Sequence, residues 1–146
     1  MSQQTVPERN IQVARDYTRE VFNGHQPERA GEFWTPDGIW HGGTLGTVEG
    51  IDNIVGLLKG FIGALPDLEA VEQEIGADGD TVWVRFQVHA THQGDLVGIP
   101  PTGRTVKWDA VDVYHLTDGK ISEEWAVDDL LAILQNIGYV SVPWVS

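Results

Sequence analysis

The sequence predicts an α+β cone, in which a curved antiparallel sheet wraps around N-terminal helices and leaves a pocket between them. Helical spacing of apolar residues governs the chain up to Leu65, and period-two alternation governs it from Leu68 to Val127. Clusters of Gly, Pro, Asn and Asp separate these runs. With 146 residues and no cysteine, the chain reads as one domain, residues 1–146, with room for its own core and no disulfide framework.

The first helix starts at a capping box, Thr5-Val6-Pro7-Glu8, and carries Ile11, Ala14, Tyr17 and Val21 at helical spacing to a stop at Asn23-Gly24. Pro27 suits the first turn of a second helix, Glu28 to Trp34, closed by Thr35-Pro36-Asp37-Gly38. Ile39-Trp40-His41 is a short strand that runs into the glycine-rich segment 42–50, with Trp40 and His41 on opposite faces. Ile51, Ile54, Val55, Leu58, Phe61, Ile62 and Leu65 mark the clearest helix, ended by Leu65-Pro66-Asp67. Gly56, Gly60 and Gly63 each weaken it by about 1 kcal/mol relative to Ala, so close packing on the sheet is the expected reason for them.

Leu68 to Ile75 is a less regular strand, turned at Asp78-Gly79. From Thr81 to His92 the alternation puts Val82, Val84, Phe86, Val88 and Ala90 on one face; Trp83, Arg85 and Gln87 occupy the other, which is bulky enough to pack on a second subunit. A glycine- and proline-punctuated loop follows His92. Val106 to Leu116 then sets Trp108, Ala110, Asp112 and Tyr114 on one face. Thr117-Asp118-Gly119-Lys120 is a tight hairpin turn, Ile121 to Val127 returns, and Asp128-Asp129 supplies the N-cap of a helix from Leu130 to Ile137. Gly138 ends that helix, and the apolar tail from Tyr139 to Ser146 has no clear assignment.

A net charge of −13, from 9 basic and 22 acidic residues, argues against nucleic acid or an anionic membrane as partner. No secretory leader pattern and no apolar run of membrane-spanning length is present, so a cytoplasmic protein is expected. Six Trp suit walls for a flat apolar ligand, or equally a core or dimer interface. His89 and His92 point to opposite strand faces, and no other ligand spacing exists, so neither metal nor cofactor is expected. A nucleophile elbow and a phosphate-cradling loop are also missing.

Asp112, alternating with aromatic residues, is a candidate general base whose pKa desolvation would raise; a carboxylate held by backbone amides is the plainer reading. Glu124 shares a face with Ser122 and Ala126, so it either approaches Asp112 or lies solvated at the hairpin. His92 either contacts a substrate carbonyl or anchors the loop after it. Asp129 is explained by capping alone.

His92-Gln-Gly94, Gly98-Ile-Pro-Pro-Thr-Gly103-Arg104, Asp118-Gly-Lys-Ile, Glu124-Trp125, Asp129 and Gln135-Asn-Ile-Gly138 together resemble the SnoaL-like polyketide cyclases, as does the segment from Phe61 to Asp67 that ends in Leu-Pro-Asp. The resemblance covers nearly the whole chain. It implies the nuclear-transport-factor-two-like cone, a homodimer or homotetramer, and intramolecular aldol ring closure on a methyl ester without metal or cofactor. It also implies that the family's catalytic aspartate falls on Ala126 and its cavity histidine on Asp112, while His92 and its loop are retained. The resulting expectation is a polyketide cyclase with Asp112 as base and His92 and Glu124 as polarising or positioning groups. Trp40, His41, Phe86, Trp108, Tyr114, Ala126 and Asp129 are expected around the substrate. A hydroxylase-like relative and a non-catalytic small-molecule binding module are the alternatives.

Overall fold

A computed structural model describes residues 4–144. Its elements in order are helix α1 (Val6–Tyr17), a π-helical turn (Thr18–Phe22), a 3-10 helix (Pro27–Glu32), strand β1 (Trp34–His41), a 3-10 turn (Gly43–Leu45) and β2 (Thr47–Glu49). Then come α2 (Ile51–Ala64), β3 (Glu69–Asp78), β4 (Thr81–Thr91), β5 (Thr105–Thr117), β6 (Lys120–Asp128) and α3 (Leu130–Asn136). Six strands form one curved, unclosed sheet in the order β2-β1-β6-β5-β4-β3.

The expected cone is present, with one difference in the sheet. β3 to β6 form an antiparallel meander, but β1 joins the edge of β6 in parallel, so the sheet is mixed. A parallel neighbour requires a long crossover, and the whole of α2 with β3 to β5 lies between β1 and β6 in the chain.

Helix α1 begins as its capping box dictates: the Glu8 amide donates to Thr5 Oγ1 at 3.3 Å, and the Thr5 amide donates to Glu8 Oε2 at 3.3 Å. Such a cap stabilises a helix by about 1 kcal/mol. At its far end, where the Thr18 hydroxyl donates to the Ala14 carbonyl, the helix widens into the π-helical turn before reaching Asn23. The second helix is shorter than expected and of 3-10 type. Trp34 opens β1 instead, and Thr35-Pro36-Asp37-Gly38 lies inside that strand as an irregularity in its pairing with β6. Pro36 and Gly38 read locally as a turn, whereas here they lie where the register of β1 on β6 shifts.

In α2, Ile54, Leu58 and Ile62 are buried, as their spacing requires. The expectation for its glycines is wrong. A Cβ at Gly56, Gly60 or Gly63 would meet nothing within 4 Å, so packing on the sheet does not explain them. The close approach is made by Gly94: a Cβ there would lie 2.6 Å from the Gly63 carbonyl oxygen, and its amide donates to Ala64.

The core lies between α1, α2 and the concave face of the sheet. Val82, Val84, Phe86, Val88 and Ala90 of β4 are all buried against it, each larger side chain contributing about 1.5–3 kcal/mol of hydrophobic stabilisation. Asp118 and Gly119, both with positive φ, form the tight turn that returns β5 into β6. Asp129 alone caps α3, accepting from the Ala132 amide at 3.1 Å, and Asp128 belongs to the strand. In the tail, Val142 is buried while Tyr139 and Trp144 are exposed; Val145 and Ser146 lie outside the described residues. Among the described residues, no helix is long and apolar enough to cross a membrane.

Candidate active site

The concave face, the π-helical turn and α2 enclose a cavity with about 690 Å³ of empty space, mouth included. Its walls are mostly aromatic and aliphatic: Trp40 from β1, Phe22 from the turn, Phe61 from α2, Phe86 from β4 and Trp108 from β5. Phe61 meets Trp108 edge-on at 6.0 Å between ring centroids.

Into this apolar space the sheet projects three carboxyl groups. In the β5–β6 register Asp112 lies opposite Ala126, Tyr114 opposite Glu124, and Ala110 opposite Asp128. Directly paired residues share a face, so Glu124 and Asp128 flank Asp112 diagonally, at spacings of roughly 7–8 Å. The Tyr114 hydroxyl donates to Asp112 Oδ2 at 3.4 Å, and the Trp108 indole donates to Asp128 Oδ1 at 2.8 Å. Glu124 is only 2% exposed, and its Oε1 has no hydrogen-bond partner among the described residues.

Burial pushes the pKa of Asp112 well above the ordinary carboxylate range, and the charge of Asp128 adds to it, against a smaller opposing effect of the Tyr114 hydrogen bond. Glu124 is pushed well up by burial, then by Asp112 and Asp128. Asp128 is raised by burial too, but the Trp108 hydrogen bond works the other way. Behind them the phenol of Tyr17, buried and 6.3 Å from the Tyr114 ring, is held neutral by burial and by the Glu124 carboxyl. Among the described residues, no Lys, Arg or His lines the cavity. The arrangement therefore favours the protonated form of these carboxyl groups and groups three proton-carrying side chains on one apolar wall.

The structure brings seven of the ten expected site residues to this cavity: Trp40, Phe86, Trp108, Asp112, Tyr114, Glu124 and Ala126. The other three lie elsewhere. His92 is fully buried but lies outside the lining, where its Nδ1 accepts from the Thr102 amide at 3.2 Å and contacts the Thr102 hydroxyl at 3.0 Å. Its backbone also pairs with Gly103 and Arg104, so it anchors the loop after β4. With Nδ1 accepting, the ring proton sits on Nε2. His41 points to the other side of β1, where Nε2 meets Glu123 Oε2 at 2.7 Å and the ring stacks on Trp125 at 5.0 Å. Asp129 is occupied as the α3 cap. Sequence reasoning missed Asp128, Thr18, Phe22 and Phe61. The signal for Asp128 was its even spacing from Glu124 and Ala126 along one strand.

The family model for SnoaL-like polyketide cyclases matches residues 12–137. The chain is 33% identical over 78 residues to DauD, an aklanonic acid methyl ester cyclase of Streptomyces sp. strain C5, a stretch that is 52% of this chain and 47% of that protein. It thus spans about half the length of that relative. Among solved structures, a proposed SnoaL-like polyketide cyclase from Jannaschia sp. CCS1 is similar with a TM-score of 0.87 at 23% identity, covering 97% of this chain and 99% of the other. AclR, a proposed hydroxylase from Streptomyces galilaeus, is similar with a TM-score of 0.80 at 29% identity, covering 90% and 97%.

Proposed function

The chain belongs to the SnoaL-like polyketide cyclase family, and on that premise we propose that it closes a ring in a neutral, flat polyketide-like ester by an intramolecular aldol reaction. The observation that carries this reading is the row of carboxyl groups in an otherwise apolar, aromatic cavity. Asp112 is the general base, taking the acidic proton next to a carbonyl. The resulting enolate carbon attacks the ketone carbon, a C–C bond forms, and the ketone oxygen receives a proton from Glu124. The proton on Asp112 then returns to Glu124, so substrate and product are isomers and the protein ends unchanged. Aromatic walls hold a planar ligand, and a cavity with three carboxyl groups and no lining cation repels an anionic one. Tyr114, donating to Asp112, orients the base.

Incubation with aklanonic acid methyl ester, followed by chromatography and mass spectrometry, tests the reading. An isobaric product of changed retention is expected, and Asp112→Asn is expected to slow its formation about 10²–10⁴-fold. Undiminished turnover by a stably folded Asp112→Asn protein would exclude Asp112 as base. A second reading, hydroxylation, draws on the similarity to AclR and on Ala126 standing opposite Asp112; a product heavier by one oxygen would identify it. A homo-oligomer is also proposed, because Trp83, Val111 and Val127 leave an apolar patch on the outer face of the sheet.

A further inference from the structure

Asp128 is the cavity carboxyl that the chemistry above leaves unused. β6 sends every second side chain to the concave face, so Glu124, Ala126 and Asp128 stand there in a row. Asp112 faces the middle of that row from β5. Asp128 differs from the other two carboxyl groups in two respects. Its Oδ1 accepts the Trp108 indole N–H at 2.8 Å; an indole only donates, and a donor favours the ionised oxygen over the protonated one. Its position at the end of the strand also puts it on an outer hollow lined by His41, Gly43, Thr44 and Leu130, in addition to the inner cavity. Asp112 and Glu124 line the inner cavity alone.

We propose that Asp128 is a positioning residue that carries the standing negative charge of the cavity and so keeps one proton on the Asp112–Glu124 pair. The inference rests on reading that pair as the acid–base centre. Three carboxyl groups in an apolar space without a cation do not all ionise, because each added charge is both poorly solvated and repelled by the last. The first charge settles where a donor and water are nearest, and both conditions meet at Asp128. With that charge fixed, the pair beside it holds one proton between two groups, which leaves one base and one acid ready together.

The groups facing the cluster from the surrounding elements do not cancel the charge. α1 contributes the Tyr17 phenol and β5 the Tyr114 phenol, both pushed further up by burial and by the carboxyl groups. α2 contributes Leu57, Leu58 and Phe61. Across the outer hollow His41 is engaged by Glu123.

Carbon-13 spectra of the Asp and Glu side-chain carboxyl groups, recorded against pH on the substrate-free protein, test the proposal. In the wild type, Asp128 is expected to ionise first of the three. In Asp128→Asn, which keeps an oxygen for the indole and removes only the charge, Asp112 and Glu124 are expected to titrate at lower pH. In Trp108→Phe, the Asp128 signal is expected to move to higher pH. Titration of Asp128 last in the wild type overturns the proposal, as do unmoved Asp112 and Glu124 midpoints in a folded Asp128→Asn protein. Should Asp128→Asn fail to fold, the wild-type order and Trp108→Phe still decide. These spectra need no turnover, so moved midpoints without conversion of aklanonic acid methyl ester would strike the cyclase reading alone. Conversion with unmoved midpoints would strike only the role given to Asp128.

Discussion

Glu124→Gln is expected to make the protein more stable, and only above mildly acidic pH. The Glu124 carboxyl is buried with an unpartnered oxygen, and burial together with Asp112 and Asp128 raises its pKa well above the ordinary value. In the unfolded chain it ionises near about pH 4.3. Below that pH both states hold the proton, and the group costs folding nothing. As pH rises, the unfolded chain ionises first and gains free energy that the folded state does not share. Stability is therefore lost progressively until pH passes the raised folded value. Each unit of separation is about 1.4 kcal/mol. A glutamine has the same shape and does not titrate. Between pH 4 and pH 8 the variant is expected to gain at least about 1.4 kcal/mol on the wild type, the yield of a single unit of that separation. For a domain of this size that is a Tm advantage growing by about 3–6 °C. Calorimetry from pH 4 to pH 9 reads the difference directly. A stability difference of constant size across that range would mean a packing effect and would refute the electrostatic account.

His92→Ala is expected to lower stability by about 2–4 kcal/mol, because it deletes a buried side chain and orphans Thr102; chemical denaturation measures this. Turnover per folded molecule is expected to stay within a few-fold, since His92 does not line the cavity. On the opposite face, Trp83→Glu combined with Val127→Glu replaces side chains that are 44% and 63% exposed and is expected to yield monomers in sedimentation velocity without loss of helicity. A wild type that already sediments as a monomer would remove the homo-oligomer from consideration.

How much of the site could be read in advance depended on where the information lay. Alternation along β4 and β5 is a local signal, and it placed Phe86, Trp108, Asp112 and Tyr114 on one wall correctly. The parallel docking of β1 on β6 is not local, and nothing in Trp34 to His41 announces its partner. The two glutamates of β6 show the limit most sharply. From the turn, Thr117 pairs with Lys120 and Leu116 with Ile121, but then His115 pairs with Glu123. That one-residue bulge sets Tyr114 opposite Glu124; without it Tyr114 would face Glu123, and the inward and outward glutamates would exchange places. A pair of identical residues gives no hydrophobic clue to the register. Asp128 was obscured differently: an acidic residue just before a helix reads as a cap, and the strand's parity was outweighed. For His92, burial follows from a loop that returns ten residues later to place Thr102 on its ring, which no strand pattern encodes.

The relation between positions 112 and 126 supports the proposed role of Asp112, given that the family resemblance puts the catalytic aspartate on Ala126. Residues paired directly across antiparallel strands have Cβ atoms about 4.5–5.5 Å apart and share a face. A carboxylate on Asp112 therefore enters the same cavity as one on position 126, displaced by one strand width. Glu124 and Asp128 lie on the same strand as position 126, two residues to either side, so they surround either location equally. Ala126 itself adds no polar group to the wall that Asp112 faces. On the proposed reading, what such a cavity needs is a proton-holding group between two others on a concave, apolar wall. Two neighbouring strands offer more than one place to put it.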